Sequence, residues 1–131
     1  MKIFIDENLS PFLAKGLHIL EQPMADGFEV LSIKEEFGKG IKDEDWIPQV
    51  GKLHGVVITQ DKNIHRTKPQ RDLFEKHGVG VFFISPPKGK GYTYWQMVEL
   101  LINNWREIKE KCETKRPFSF ICRPRSGFKR W

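Results

Sequence analysis

Gly55-Val56-Val57-Ile58-Thr59, running into Gln60-Asp61, decides the fold. The run is short, continuously apolar and β-branched, with no polar residue alternating through it. A strand of that kind is covered on both faces and belongs to a parallel sheet. It stops on an acid.

The segments on either side repeat the pattern. Lys2 to Ile5 is another apolar strand, and it empties into Asp6-Glu7-Asn8. Ser10-Pro11 reads as N-cap and first helical residue, with Phe12, Leu13, Leu17 and Leu20 at helical spacing until Pro23 ends the helix. Phe28 to Ile33 reads as a second strand, followed by a glycine-bearing loop from Glu35 to Lys42. A helix starts within Asp43-Glu44-Asp45-Trp46-Ile47-Pro48 and runs to about Leu53. Asp45 as N-cap would put Pro48 in the first turn, where its missing N–H costs nothing. Asp43 as N-cap would cost one hydrogen bond, so Asp43 is expected in the entering loop or on an irregular first turn.

Beyond Asp61 lies a basic loop. Pro69 to His77 is a helix closed by Gly78, and Val79 to Ile84 is a fourth buried strand stopped by Pro86-Pro87. Thr93 and Gln96 fit a capping box that opens a helix to about Cys112. Its apolar stripe, Trp95, Val98, Ile102, Trp105, Ile108 and Cys112, is expected to face the core. Phe118 to Cys122 can add an edge strand before the chain turns basic. Strands alternating with helices predict an α/β fold with three α/β/α layers. The sheet is mainly parallel, with four strands or, counting Phe118 to Cys122, five. Residues 1–131 are expected to form a single domain with a basic tail over about 115–131.

Composition agrees with a globular chain: 39% hydrophobic and 30% charged residues over 131 positions. No apolar run approaches the roughly 20 residues that span a bilayer. The N-terminus meets acids too early for a signal peptide. Cys112 and Cys122 make no disulfide framework, so free thiols in the cytoplasm are expected. The net charge of +5 is uneven, since Lys109, Lys111, Lys115, Arg116, Arg123, Arg125, Lys129 and Arg130 face only Glu110 and Glu113 in that stretch. A basic arm beside an acidic cluster suits a polyanion.

In open parallel sheets, ligands bind beyond the carboxyl ends of the strands. Asp6 and Asp61 each close a strand and should meet at that edge. The Asp43-Glu44-Asp45 helix should begin there too. Crowded carboxylates repel each other, and a hard divalent cation such as Mg²⁺ or Mn²⁺ relieves the repulsion. Such an ion can activate water at a phosphodiester. The candidate catalytic residues are thus Asp6, Asp43 and Asp61, and the candidate metal ligands are Asp6, Asp43, Asp45 and Asp61. Asn8 and Thr59 are placed to support them, and Glu7 is expected to point into solvent. The competing reading for each acid alone is a turn residue or a helix cap. Lys62, Arg66, Lys68 and Arg71, with Arg123, Arg125, Lys129 and Arg130, are candidates for phosphate contacts. His65 reads as an exposed loop histidine.

The segments IFIDENLSPFLAKGL, DEDWIP and VVITQDKNI resemble the compact PIN-like domains related to VapC-type toxin ribonucleases, over Lys2 to about Ile84. The resemblance implies a Rossmann-type sheet, Mg²⁺ or Mn²⁺, cleavage of single-stranded RNA, and an antitoxin encoded by a neighbouring gene. A homodimer is left open. Asp6 matches the first family acid and Asp61 the acid of the T-x-D strand end. Asp43 matches the middle acid, with Asp45 as its rival. Fuller family sites carry a fourth acid, and the helical position of Asp72 gives no reason to assign it. Two rivals remain: a receiver-like phosphoacceptor domain, for which no fifth βα unit is discernible, and a non-catalytic RNA-binding module.

Overall fold

The computed structural model describes residues 1–61, 63, 67–89 and 91–131. In chain order the elements are β1 (Lys2–Ile5), α1 (Pro11–Glu21), a 3₁₀ turn (Gln22–Met24), β2 (Glu29–Ser32), α2 (Ile33–Phe37), α3 (Asp43–Lys52), β3 (Val56–Thr59), α4 (Lys68–Lys76), β4 (Gly80–Ile84), α5 (Tyr94–Lys111), β5 (Phe118–Cys122) and β6 (Phe128–Arg130). The strands form one sheet in the order β2-β1-β3-β4-β5-β6. Every pairing is parallel except β5 with β6. The chain moves outward from β1 to β2, then crosses back to β3. The strand order therefore reverses between β1 and β3, and a doubly wound sheet opens its ligand crevice at that point.

Two cores cover the sheet. On one face, Leu13, Ala14 and Leu17 of α1 and Met97, Leu101 and Ile108 of α5 pack on Ile3, Ile5, Val56, Ile58, Phe82 and Ile84. On the other, Ile33 of α2, Trp46, Ile47 and Val50 of α3 and Phe74 of α4 pack on Phe4, Val57 and Val81. Alternate residues of one strand thus feed opposite cores, which is why these strands read as unbroken apolar runs.

The sheet has six strands, beyond the four or five expected. Phe118 to Cys122 is an interior strand, flanked by β4 and β6. Phe118, Phe120 and Phe128 pack around Phe82 with ring centroids 5.3, 5.9 and 5.2 Å away. The stretch expected as a basic tail is therefore part of the sheet and core. Only Phe128 of β6 is buried, and the exposed Lys129 and Arg130 follow it, so its three residues carry too little apolar pattern to read as a strand. A fifth parallel strand is thus present, but β6 follows it where a receiver-like domain would continue into a helix.

Three local expectations change. The loop after β2 begins with a short helix, α2, whose N-terminus is capped by Ser32 Oγ accepting the Glu35 N–H at 3.4 Å. It has five residues, too few for a periodic signal. In α3 the N-cap is Lys42, so neither Asp43 nor Asp45 caps the helix, and Pro48 lies inside it. On α5 the expected Ile108 and, at its end, Cys112 are buried, and Val98 and Trp105 pack against the same core, but the other buried positions are Met97 and Leu101. Trp95 is 74% and Ile102 50% exposed, beside α1's exposed Phe12 and Leu20. Trp105 also donates its indole N–H to the buried Glu21 carboxylate at 2.6 Å, and Lys109 pairs with the same carboxylate at 2.9 Å.

Candidate functional site

β1 leads directly into Asp6, next to the point where the strand order reverses. Its backbone N–H extends the ladder to Ile58 O of β3 at 3.0 Å, so the residue is locked before its side chain is considered. The side chain is buried, 8% exposed. Asp6 Oδ1 accepts the Glu7 N–H at 2.7 Å, and Asp6 Oδ2 accepts the Thr59 hydroxyl at 2.6 Å. Thr59, itself fully buried, accepts the Asp61 N–H on the same oxygen at 3.0 Å. Asp61 Oδ1 in turn accepts the Asn63 N–H at 2.9 Å. One hydroxyl therefore ties the ends of β1 and β3 together.

Burial pushes the Asp6 carboxyl up from an ordinary 3.8 to about 6. The hydrogen bonds from Thr59 and Glu7 oppose that rise, while the negative charges of Asp61 and Asp43 add to it.

Asp43 is the first residue of α3. Its Oδ1 accepts the Trp46 indole N–H at 3.0 Å and its Oδ2 the Gln70 amide of α4 at 3.3 Å. Glu7, exposed as expected, also accepts the Gly40 N–H at 3.1 Å and so pins the loop into α3 against the end of β1. Glu44, Asp45 and Asn8 are exposed. Glu7, Trp46 and Gln70 were not legible as site residues. They act through fold-dependent contacts, and only the Asp43–Trp46 spacing of three along a helix offered a signal.

The acidic donors are all carboxylate oxygens, the chemistry preferred by hard divalent cations such as Mg²⁺ and Mn²⁺. Among the described residues, no three His, Cys, Asp or Glu side chains form a ready-made metal cage. Mg²⁺ is commonly held by one or two carboxylates with its waters retained, so the tied pair Asp6 and Asp61 fits that mode.

The candidate cations fall in several places. Lys62 and Arg66, like His65, lie outside the described residues. Lys68 pairs with Asp72 at 2.9 Å. Arg71 and Arg130 line a cavity of about 220 Å³ between α4 and the β5–β6 pair. Lys129 lies opposite Ile121 on the outer strand, while Arg123 and Arg125 flank the β5–β6 turn, at the end of the sheet that also holds Asp6 and Asp61.

A family model described as a PIN like domain matches residues 1–86, more than half of the 131-residue chain. The chain belongs to the PIN-like domain family. The match spans β1 to β4 and the segments that supply Asp6, Asp43 and Asp61. Its sheet is accordingly of a nuclease-type fold. No curated protein and no solved structure matches the chain. Among the described residues, no helix is long and apolar enough to cross a membrane.

Proposed function

We propose that this PIN-like protein is a metal-dependent endoribonuclease that hydrolyses phosphodiester bonds in single-stranded RNA. The observation that carries the reading is the buried Asp6 carboxylate, joined through Thr59 to Asp61 and repelled by Asp43, at the switch point of the sheet. In this reading Asp6 and Asp61 hold Mg²⁺ or Mn²⁺, with Asp43 facing them. The bound cation would supply charge neutralisation and an acidified water. Thr59 orients Asp6 toward the crevice and keeps Asp61 beside it. Arg71, Lys129 and Arg130, with Arg123 and Arg125, are the described cations available to the phosphate backbone.

The test is cleavage of a labelled single-stranded RNA with Mn²⁺ or Mg²⁺ added after EDTA treatment. Asp61→Asn keeps the side chain's shape and removes its charge. It should lower cleavage roughly 100-fold or more, the scale expected when one charge-stabilising group is lost. Unchanged cleavage in a folded Asp61→Asn protein excludes the assignment. RNA binding without cleavage under any metal would leave a binding module.

The physiological reading we infer is the toxin of a toxin–antitoxin pair in the cytoplasm, supported by the family resemblance of the Asp6, DEDW and T-x-D segments. Growth arrest on expression, relieved by the product of an adjacent gene, is the expected result. Harmless expression of an active nuclease would remove the toxin role and leave the enzyme.

A further inference from the structure

We propose that the groove between α5 and the β5–β6 turn reads the bases of single-stranded RNA, a role that rests on the ribonuclease reading and adds a specificity site to it. The groove encloses about 620 Å³ and is lined by Tyr92, Gln96, Asn103, Asn104, Arg123 and Arg125. That set is what single-stranded RNA needs. An aromatic ring stacks with a base, amides meet base edges, and guanidinium groups take phosphates or stack.

Several details support the assignment. Among the described residues, neither the Arg123 nor the Arg125 guanidinium has an ion pair or hydrogen bond, and both residues are exposed. Their backbone is nevertheless held. The Ser126 N–H and hydroxyl both donate to Arg123 O at 3.1 Å, and Cys122 Sγ donates to Ser126 O at 3.2 Å. Arg125 sits at φ +61°, a left-handed conformation that a residue with a side chain seldom adopts. The turn's backbone is thus already ordered, and on binding only the two arginine side chains remain to be fixed. The amides keep unused capacity. Asn104 spends one N–H on Leu100 O at 2.7 Å, and Gln96 spends its Oε1 on Thr93 N–H at 2.9 Å, which leaves the Asn104 oxygen and the Gln96 NH₂. Glu99 also lines the groove. It repels phosphate and can accept from an exocyclic amine, which favours a base over a backbone there.

Position agrees. β5 is parallel to β4 and β3, so Arg123 follows the same end of the sheet as Asp61. β3 and β5 are two strand spacings apart, about 10 Å. At about 3.4 Å per stacked nucleotide, RNA lying across that edge would place a base in the groove some three nucleotides from the acids. The groove residues all lie beyond the 1–86 family match.

The experiment is fluorescence anisotropy with short labelled oligoadenylate, oligocytidylate and oligouridylate, in EDTA, with the full chain carrying Asp61→Asn so that the RNA persists. Arg123→Ala/Arg125→Ala should weaken binding to all three about 10-fold at low salt and flatten the log–log salt slope by about 1.4, two contacts at about 0.7 each. Asn103→Ala should leave the slope unchanged and cut the preference for the best RNA over the worst about fivefold or more. Thermal melts unchanged from the parent show that both variants fold. Unchanged affinity and slope in the arginine variant overturn the proposal, as does an unchanged preference in Asn103→Ala, or an equal loss for duplex DNA. Retained RNA affinity with lost polyglutamate binding assigns the groove to an acidic protein and also overturns it. The two readings fail separately. Cleavage by the unaltered chain with an unaffected arginine variant removes only the groove, while base-selective binding through the groove without cleavage under any metal removes only the nuclease.

Discussion

The Thr59 hydroxyl donates to Asp6 Oδ2 at 2.6 Å, a buried bond that spans two strands and also positions Asp61 through the Asp61 N–H on the same oxygen. Thr59→Val keeps the shape and removes the hydroxyl. It leaves an acceptor and an N–H without this partner, at a cost of about 1–3 kcal/mol for an unsatisfied buried group. The Asp6 carboxyl should then titrate above its present value of about 6, because the lost bond favoured the charged form. NMR titration of Asp6 together with a melting curve measures both, and an unmoved titration excludes the bridging role.

Asp6 also makes the metal-free protein sensitive to pH. Its folded pKa lies above the unfolded one, so the native state holds the proton more tightly. The associated stability is fully present below about pH 4 and is lost as pH rises through about 6. A rise of about two pH units corresponds to roughly 3 kcal/mol. Asp6→Asn should therefore melt higher than the parent at pH 7 in EDTA, by about 1–2 kcal/mol once the lost acceptor for Glu7 N–H is counted. The difference should shrink below pH 5. Added Mn²⁺ should stabilise the parent and not the variant. A pH-independent difference would mean that Asp6 is not charged against its surroundings.

The structure separates Asp43 from Asp45, which the sequence left as rivals. Asp43 is held by Trp46 and Gln70 and repels Asp6, whereas Asp45 is exposed. Asp43→Asn should lower RNA cleavage about 10-fold or more, the scale of losing a group that orients or tunes a metal site. Asp45→Asn should stay within about twofold of the parent, as a solvated first-turn acid contributes little. Single-turnover rates decide, and the reverse order would move the third acid to Asp45.

The C-terminal strands bear on stability as much as on charge. Phe120 is 6% exposed and stacks on Phe82 with centroids 5.9 Å apart. Phe120→Ala should cost about 3–5 kcal/mol, the range for emptying a buried aromatic site. Truncation after Pro117 would delete an interior strand and unfold the sheet, so RNA contacts in this region are to be probed by surface substitutions. Denaturant unfolding checks this, and a chain ending at Pro117 that stays native would show β5 to be dispensable.

The local elements were legible because each carries its own signal. GVVIT reads as a doubly covered strand, Ser10-Pro11 as a helix start and Thr93-x-x-Gln96 as a capping box, and all are found. The strand-end acids Asp6 and Asp61 were legible for the same reason, since Asp6 directly follows one strand and Asp61 lies two residues past the end of another. What the tertiary structure alone decided depends on neighbours remote in the chain. β6 is a strand because Phe128 packs on Phe82, far away in sequence, while the cations Lys129 and Arg130 that follow it hide the pattern. Trp95 is exposed because α5 turns Met97 and Leu101 to the sheet, a choice between two apolar faces that periodicity leaves open. Asp43, unlike the exposed Asp45, is held by Trp46 and Gln70 because Lys42 starts the helix and Gln70 reaches across from α4. Propensity and period act within a few residues, whereas these contacts form only once the sheet has brought its strands together.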